Sequence, residues 1–222
     1  MTTHLLLTSN FPPLYDGIAS WMSQLARHYG DDAMLVSLGA EKGQEASDAR
    51  QHVRIDRMPI ARARLRNLPG IVAWSRRAAK LAREHDVTFV WCGNLKPPSY
   101  VAWTLKARMG IPYGVMLHGT ELLQMRAHGR GLRKRLIART LLGSAAVIVT
   151  NSEWTRTVTL DLFDELKIPV APDRVYAVPL GADLDRFRAG IDTSRVRAKY
   201  GLNGGRWMLT VGRLVEHKGQ DQ

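Results

Sequence analysis

Two cationic side chains near the end of the sequence have the types and spacing to bind a diphosphate. Arg213 and Lys218 stand five residues apart, with Gly212 and Gly219 on either side of them. A guanidinium is a planar fork and an ammonium is a compact charge, so the two can contact one diphosphate from two directions. Glycine lets the backbone approach such a ligand closely. The apolar run 207–211 predicts a strand that leads into this turn.

Other polar residues follow predicted strands earlier in the chain. They are His118 with Gly119 after the run 113–117, Asn94 and Lys96 after 87–91, and Asn151 after 146–150. Functional loops of parallel sheets lie at the carboxyl ends of the strands, so these residues are candidates for a ligand site. Two alternatives stay open: the loop of Asn94 and Lys96 is equally well explained as a proline-stiffened connector, and Asn151 with Ser152 as a helix cap.

The elements that must position these residues alternate between strand-like runs and amphipathic stretches. This alternation predicts an α/β fold, a parallel sheet with helices on both faces. The predicted strands cover 4–9, 33–37, 53–58, 87–91, 113–117, 146–150 and 175–178. Helices are predicted over 18–29, 69–84 and 98–108 and after the N-cap Ser152, and a short helical turn over 193–200.

The positive charge is large and concentrated. The formal net charge is +12, and the segment 50–83 holds ten Arg or Lys against one acid, Asp56. The segment 126–139 holds six and no acid, with leucines between the charges at helical spacing. One interpretation is a solvated surface. Another is attraction to anionic lipid headgroups.

Composition excludes several classes of protein. A single cysteine, Cys92, rules out an internal disulfide and suits a reducing compartment, so we expect a cytoplasmic protein. The start of the sequence lacks the pattern of a signal peptide, and no apolar run reaches the 18 residues of a membrane span. No zinc-finger spacing or RNP-like aromatic motif supports nucleic-acid binding, and we predict no nucleic-acid partner.

Several segments, in the same order along the chain, resemble family 4 (group 1) retaining glycosyltransferases of GT-B fold. The matching segments are Phe11-Pro12-Pro13-Leu14-Tyr15-Asp16-Gly17, Leu117-His118-Gly119-Thr120-Glu121, Val149-Thr150-Asn151-Ser152-Glu153, Val178-Pro179-Leu180-Gly181-Ala182-Asp183 and Val211-Gly212-Arg213 to Lys218-Gly219. Asp16 stands where the family has the first of two glycines, so only Gly17 is carried over. Trp91 and Cys92 stand where many relatives have histidines.

The resemblance implies a role for each candidate residue. Gly17, Arg213 and Lys218 would bind the diphosphate of a nucleoside diphosphate sugar, and His118 would donate a hydrogen bond to a hydroxyl of the donor sugar. The acceptor, a carbohydrate or a lipid-linked molecule, would contact residues that follow the strands: Asn94, Lys96 and Asn151. We expect no metal and no cofactor. The pair Asp183 and Asp185 fits the Asp-x-Asp metal motif of the other glycosyltransferase fold, GT-A, and we interpret it as a chance match.

The resemblance also implies a domain organisation. Residues 1–187 would form an N-terminal, acceptor-side Rossmann-like domain, 188–205 a linker, and 206–222 the first strand and phosphate-binding turn of a second domain. The chain would then be truncated before the second Rossmann-like domain is complete, and we expect it to be inactive alone. The exposed interdomain surface would favour self-association.

Two competing functions stay open at this point. The first is a noncatalytic basic module that binds a membrane surface or nucleic acid. A transferase with a lipid-linked acceptor would also use such a basic surface, peripheral at the inner face of the cell membrane. The second is a dinucleotide-dependent oxidoreductase, but the G-x-G-x-x-G fingerprint of that class is absent between Leu7 and Ala19.

Overall fold

The computed structural model describes residues 3–30, 33–128, 131–185, 187–202, 204–212 and 219–220. Arg213 and Lys218, the predicted diphosphate ligands, lie outside the described residues. The chain divides into two compact units, residues 1–180 and residues 181–222, and each is described by itself.

The seven strands predicted between residues 4 and 178 all form, with ends shifted by a few residues. They are β1 (Thr3–Leu7), β2 (Met34–Ala40), β3 (Arg54–Ala61), β4 (Val87–Cys92), β5 (Tyr113–Leu117), β6 (Val147–Thr150) and β7 (Val175–Ala177). Every neighbouring pair is parallel, in the order β3-β2-β1-β4-β5-β6-β7. The α/β fold class predicted from the sequence is therefore confirmed.

Helices connect these strands. They are α1 (Gly17–Arg27), α2 (Gln44–Asp48), α3 (Leu68–Glu84), α4 (Pro98–Met109), α5 (Thr120–His128), α6 (Leu132–Gly143) and α7 (Glu153–Leu166), with α8 (Ser194–Tyr200) in the second unit. Two short 3₁₀ segments, Arg62–Arg66 and Pro172–Arg174, add single turns. The sequence analysis did not predict α2 or α5. Helix α2 is short and none of its residues is buried, so no apolar periodicity marks it.

The sheet is hydrophobic on both faces, and helices cover both. Successive residues of a strand point to opposite faces, so Leu5 and Leu7 pack on one side and Leu6 on the other. The first side holds buried Trp74 of α3, together with apolar residues of α4 and α7. Met22 of α1 packs on the second side. This is the doubly wound arrangement that parallel strands with crossover helices produce.

The strand order reverses its direction between β1 and β4. From β1 the chain moves outward to β2 and β3, then returns to β4 on the other side of β1 and continues to β7. The helices that follow β1 and β4 pack on opposite faces of the sheet, so the carboxyl ends of these two strands form a topological switch point. Ligands of open α/β sheets bind at such a switch point.

The second unit departs from its predicted secondary structure. Residues 207–211, predicted as a strand, have no regular structure, and Trp207, Met208, Leu209 and Val211 are exposed. A strand needs a neighbour to receive its backbone hydrogen bonds, and 207–211 pairs with no strand among the described residues. In the part of the chain that the structure describes, no helix has both the length and the apolar character needed to cross a bilayer.

Candidate functional site

His118 lies at the carboxyl end of β5 and is held from two sides. Its Nε2 is 2.7 Å from the carbonyl oxygen of Gly93, the residue that follows β4. The ring of Trp21, on α1, contacts it edge-on with ring centroids 5.1 Å apart. Because a carbonyl only accepts hydrogen bonds, Nε2 must carry the proton and donate it.

This geometry leaves Nδ1 of His118 for a ligand. In a neutral imidazole with a protonated Nε2, Nδ1 is an acceptor. A sugar hydroxyl would then donate to His118, the reverse of the direction expected from the sequence. The half-buried imidazole keeps this atom at the carboxyl edge of the sheet, where the switch point lies.

Asn94 lies below the surface at the same edge, with a side chain only 7% exposed. Its Oδ1 accepts from the backbone N–H of Ser9 at 2.9 Å and from Oγ1 of Thr8 at 3.2 Å. Its Nδ2 donates to Oδ1 of Asn10 at 3.3 Å. Both polar ends of the amide thus bind the loop after β1. Direct contact with the acceptor stays a prediction, and the structure supports a positioning role for Asn94.

Gly17 is the first residue of α1, and Asp16 caps that helix. Oδ1 of Asp16 accepts from the backbone N–H of Ala19 at 2.7 Å, and Oδ2 accepts from Nδ2 of Asn10 at 2.6 Å. A carboxylate therefore lies at the helix terminus where the sequence analysis placed a phosphate. It offsets the positive end of the helix dipole, so the structure gives no support to the predicted phosphate contact of Gly17.

A buried arginine fixes the same loop from the opposite side. Arg57 of β3 donates to the carbonyl oxygen of Pro12 at 2.5 Å and binds the carboxylate of Asp48 at 2.7 Å. The loop 8–16 is therefore held from β3 as well as from β4.

Lys96 and Asn151 are the two remaining residues that were predicted to contact the acceptor, and their surroundings differ from each other. Lys96 is exposed as a residue, while partial desolvation of its ammonium lowers its pKa from the ordinary value. Oδ1 of Asn151 accepts from Oγ1 of Thr155 at 2.7 Å, and Oγ of Ser152 accepts from the backbone N–H of Thr155 at 3.1 Å. The N-cap predicted for Ser152 is confirmed, and Asn151 supports the same helix start.

Trp91 and Cys92, the departures at the end of β4, serve packing. Nε1 of Trp91 donates to the hydroxyl of Tyr29 at 3.0 Å. Cys92 is completely buried in the core, and this burial raises the pKa of its thiol to about 12. A thiol held protonated in this way does not act as a nucleophile at neutral pH.

The two basic segments differ in the tertiary structure. In the segment 50–83, acids that are mostly distant in sequence pair with four of the basic residues: Arg57 with Asp48 at 2.7 Å, Arg62 with Glu41 at 3.2 Å, Arg77 with Asp56, and Lys80 with Glu84 at 3.5 Å. In the segment 126–139, Arg126 pairs with Glu165 at 2.9 Å. Within the described residues, the basic side chains of α6 form no ion pair.

The leucines of α6 divide between core and solvent. Leu141 is buried, while Leu132 and Leu136, one turn apart, are 76% and 62% exposed. The exposed pair lies among Arg133, Lys134, Arg135 and Arg139. We call these six residues the α6 surface.

Asp183, in the second unit, forms a local turn. Its Oδ1 accepts from the backbone N–H of Asp185 at 3.2 Å. Among the described residues, no three His, Cys, Asp or Glu side chains lie close enough together to hold a metal ion.

The structure thus joins His118 and Asn94 through consecutive residues of the loop after β4, since Gly93 binds the histidine. Sequence reasoning missed Asn10 and Asp16, which complete this arrangement. A signal was present, because Asn10 lies in the loop after β1 and Asp is a preferred N-cap residue. Trp21 gave no such signal, since its apolar position on α1 indicated only core packing.

Comparison with known proteins identifies the family of this fold. The sequence model of Glycosyltransferase Family 4 matches residues 15–186. The chain is 32% identical, over 98% of its length, to the GDP-mannose-dependent alpha-(1-6)-phosphatidylinositol monomannoside mannosyltransferase of Mycolicibacterium smegmatis, and 30% identical to the protein of the same name from Mycobacterium tuberculosis. It covers 54% and 55% of these two proteins, so the chain spans about half the length of the curated relatives it matches.

Solved structures show the same fold at low sequence identity. The crystal structure of Anabaena Alr3699/HepE with UDP and glucose has a TM-score of 0.66 and 16% identity, and covers 91% of this chain and 51% of that one. A glycosyltransferase from Rickettsia africae has a TM-score of 0.64 and 13% identity, covering 91% of this chain and 50% of that one. Since the family model spans most of the sequence, the chain belongs to Glycosyltransferase Family 4.

Proposed function

We propose that this chain supplies the acceptor-side domain of a retaining glycosyltransferase. The reaction would move a sugar from a nucleoside diphosphate sugar to an acceptor hydroxyl. Family membership supports the reaction class, and the observation that carries the site is His118, held by Gly93 and Trp21 at the carboxyl edge of the sheet. Because the matched curated relatives are named as mannosyltransferases that depend on GDP-mannose, we propose GDP-mannose and a phosphatidylinositol-type glycolipid as the first substrates to test.

Charge accumulates on the leaving diphosphate as the glycosidic bond breaks, so cations directed at that group stabilise the transition state most. We propose Arg213 and Lys218 for this role in a metal-independent reaction. The leaving phosphate would take the proton of the acceptor hydroxyl on the same face of the sugar. Retention of configuration would follow, without the pair of carboxylates that a glycosidase needs.

The test is a transfer assay with GDP-mannose and a phosphatidylinositol monomannoside, with UDP-glucose as the comparison donor. We expect no turnover by the 222-residue chain and turnover by a protein that joins it to a complete nucleotide-sugar-binding domain. In that protein, Arg213→Ala and Lys218→Ala should each lower kcat about 100-fold or more. NMR of the product should show the anomeric configuration of the donor. Inverted product, or no transfer from either donor, would contradict the proposal.

We also propose that the α6 surface contacts anionic lipid. Exposed leucines between unpaired cations are typical of a segment that lies in the headgroup region, where each basic residue contributes about 1 kcal/mol. Such contact would bring a lipid-linked acceptor close to this chain and make the protein peripheral at the membrane. The exposed apolar residues of the second unit, such as Met208 and Leu209, support a separate proposal of self-association.

Sedimentation with vesicles tests the lipid contact. We expect the chain to bind phosphatidylglycerol vesicles and not phosphatidylcholine vesicles, and to be released by high salt. Arg133→Ala with Lys134→Ala should weaken binding about 30-fold, from two charges at about 1 kcal/mol each. The matched control is Arg76→Ala with Lys80→Ala, which removes two charges from α3. Equal loss in both variants would show that net charge, and not the α6 surface, drives binding.

A further inference from the structure

We propose that Asn94 is a positioning residue, and that it acts through a directional chain of hydrogen bonds to Asn10 and Asp16. This chain fixes the loop after β1 against the carboxyl end of β4. Asn94 also follows Gly93, whose carbonyl orients the imidazole of His118. These hydrogen bonds are a feature of the structure and do not depend on any function. Their importance for catalysis rests on the proposed transferase role of His118.

The direction of the hydrogen bonds is fixed at both ends. At one end the carboxylate of Asp16 can only accept, so the neighbouring atom of Asn10, 2.6 Å away, must be Nδ2. At the other end the backbone N–H of Ser9 can only donate, so the atom of Asn94 that it contacts at 2.9 Å must be Oδ1.

The hydrogen bond between Asn10 and Asn94 can then have only one direction. The free ends are Oδ1 of Asn10 and Nδ2 of Asn94, an acceptor and a donor 3.3 Å apart. Neither amide can be turned over without placing two donors or two acceptors face to face. Each of the three side chains therefore fixes the orientation of the next. Together they connect the N-cap of α1 to the loop that follows β4.

The backbone N–H and the Cα of Gly93 are held closely by their neighbours beside these hydrogen bonds. The backbone N–H of Gly93 donates to the carbonyl oxygen of Leu7 at 2.8 Å. A Cβ at position 93 would lie 2.6 Å from Sδ of Met22 and 2.9 Å from Oγ1 of Thr8, so a larger residue would force these side chains to shift. With its N–H and Cα fixed, the carbonyl of Gly93 is set by the conformation of Asn94, the next residue. Asn94 thereby controls the acceptor that keeps the proton on Nε2 of His118.

A pair of substitutions that reverses the direction of these hydrogen bonds tests the proposal. Asn94→Asp puts an acceptor against Oδ1 of Asn10, and Asp16→Asn puts a donor against its Nδ2, so each single change breaks one hydrogen bond. In the double variant the amide of Asn10 can rotate by half a turn. Each hydrogen bond then again joins one donor and one acceptor. The asparagine introduced at position 16 keeps its oxygen for the helix cap, since Asn and Asp are equally good N-cap residues.

Two measurements on the 222-residue chain read the outcome. Thermal unfolding should show each single variant melting roughly 3–8 °C lower and the double variant recovering most of that loss. The ring ¹⁵N shifts of His118, assigned with His118→Ala, should show the proton on Nε2 in the unchanged chain. The single Asn94→Asp variant should lower the ratio of this tautomer to the other about fivefold, as expected for the loss of one ordinary hydrogen bond, and the double variant should restore it.

Each outcome either supports the proposal or overturns it. Recovery of both stability and tautomer in the double variant supports it. Additive losses overturn the directional chain, and an unchanged His118 tautomer in a folded Asn94→Asp variant overturns the link to the imidazole. Neither measurement depends on transfer activity, so failure of this proposal is distinguishable from failure of the proposed function.

Discussion

Replacing His118 by alanine is expected to lower kcat for sugar transfer about 100-fold in a protein that joins this chain to a complete nucleotide-sugar-binding domain. The imidazole is fixed at Nε2 by Gly93 and against Trp21, so its Nδ1 meets a hydroxyl without further ordering. A preorganised hydrogen bond that strengthens in the transition state acts mainly on kcat, whereas uniform binding would change only KM. Steady-state kinetics with the donor varied separate the two cases.

His52→Ala is the matched control for that experiment. His52 is an exposed histidine in the turn before β3, and its removal should leave kcat unchanged. Circular dichroism should confirm that the His118 variant stays folded, since it loses one hydrogen bond and one ring contact, together worth about 1–2 kcal/mol. A His118→Ala protein that transfers sugar within about threefold of the unchanged rate would contradict the catalytic assignment.

Gly70→Ala should cost about 3 kcal/mol of the free energy of unfolding or more, the largest stability effect we expect from adding one methyl group. Gly70 lies in the first turn of α3, against the 3₁₀ segment Arg62–Arg66 that precedes it. A Cβ there would lie 2.1 Å from the carbonyl oxygen of Arg64 and 2.8 Å from Cα of Leu65. Both atoms belong to the backbone, so no side-chain rotation relieves the clash.

Gly17→Ala is the matched control for Gly70→Ala. Gly17 is also in the first turn of a helix, but nothing lies within 4 Å of the position of its Cβ. We expect this change to be neutral or to stabilise by up to about 1 kcal/mol, because alanine restricts the unfolded chain. Urea unfolding of both variants gives the comparison. Equal losses would show that the α3 contact is looser than the structure indicates.

The fold was predictable because its signals are local. Each strand of the sheet is a short apolar run followed by a helical stretch, as in 113–117, and this alternation dictates parallel pairing wherever the chain crosses over. The cap at Ser152 was equally local, since the side chain and the N–H it accepts are three residues apart. Short elements escaped prediction: α2 has no buried face, so periodicity cannot mark it.

The charge pattern shows where local signals fail. The sequence presents two basic segments, but only the fold brings Glu41 to Arg62 and Glu165 to Arg126. Ion pairs between residues far apart in the sequence cannot be predicted from residue spacing. The sequence marked the segment 126–139 as basic, and only the structure divided its leucines between core and solvent.

The sequence by itself determined the family, the order of the elements and the carboxyl-edge positions of His118 and Asn94. Only the tertiary structure decided what those side chains do there. Asn94 faces inward to the loop after β1, His118 offers Nδ1 and not Nε2, and the carboxylate of Asp16 lies where a phosphate was expected. The physical reason is that a hydrogen bond forms only when a donor points at an acceptor. In these cases the two groups come from segments far apart in the sequence. Residue spacing along the chain carries no information about that direction.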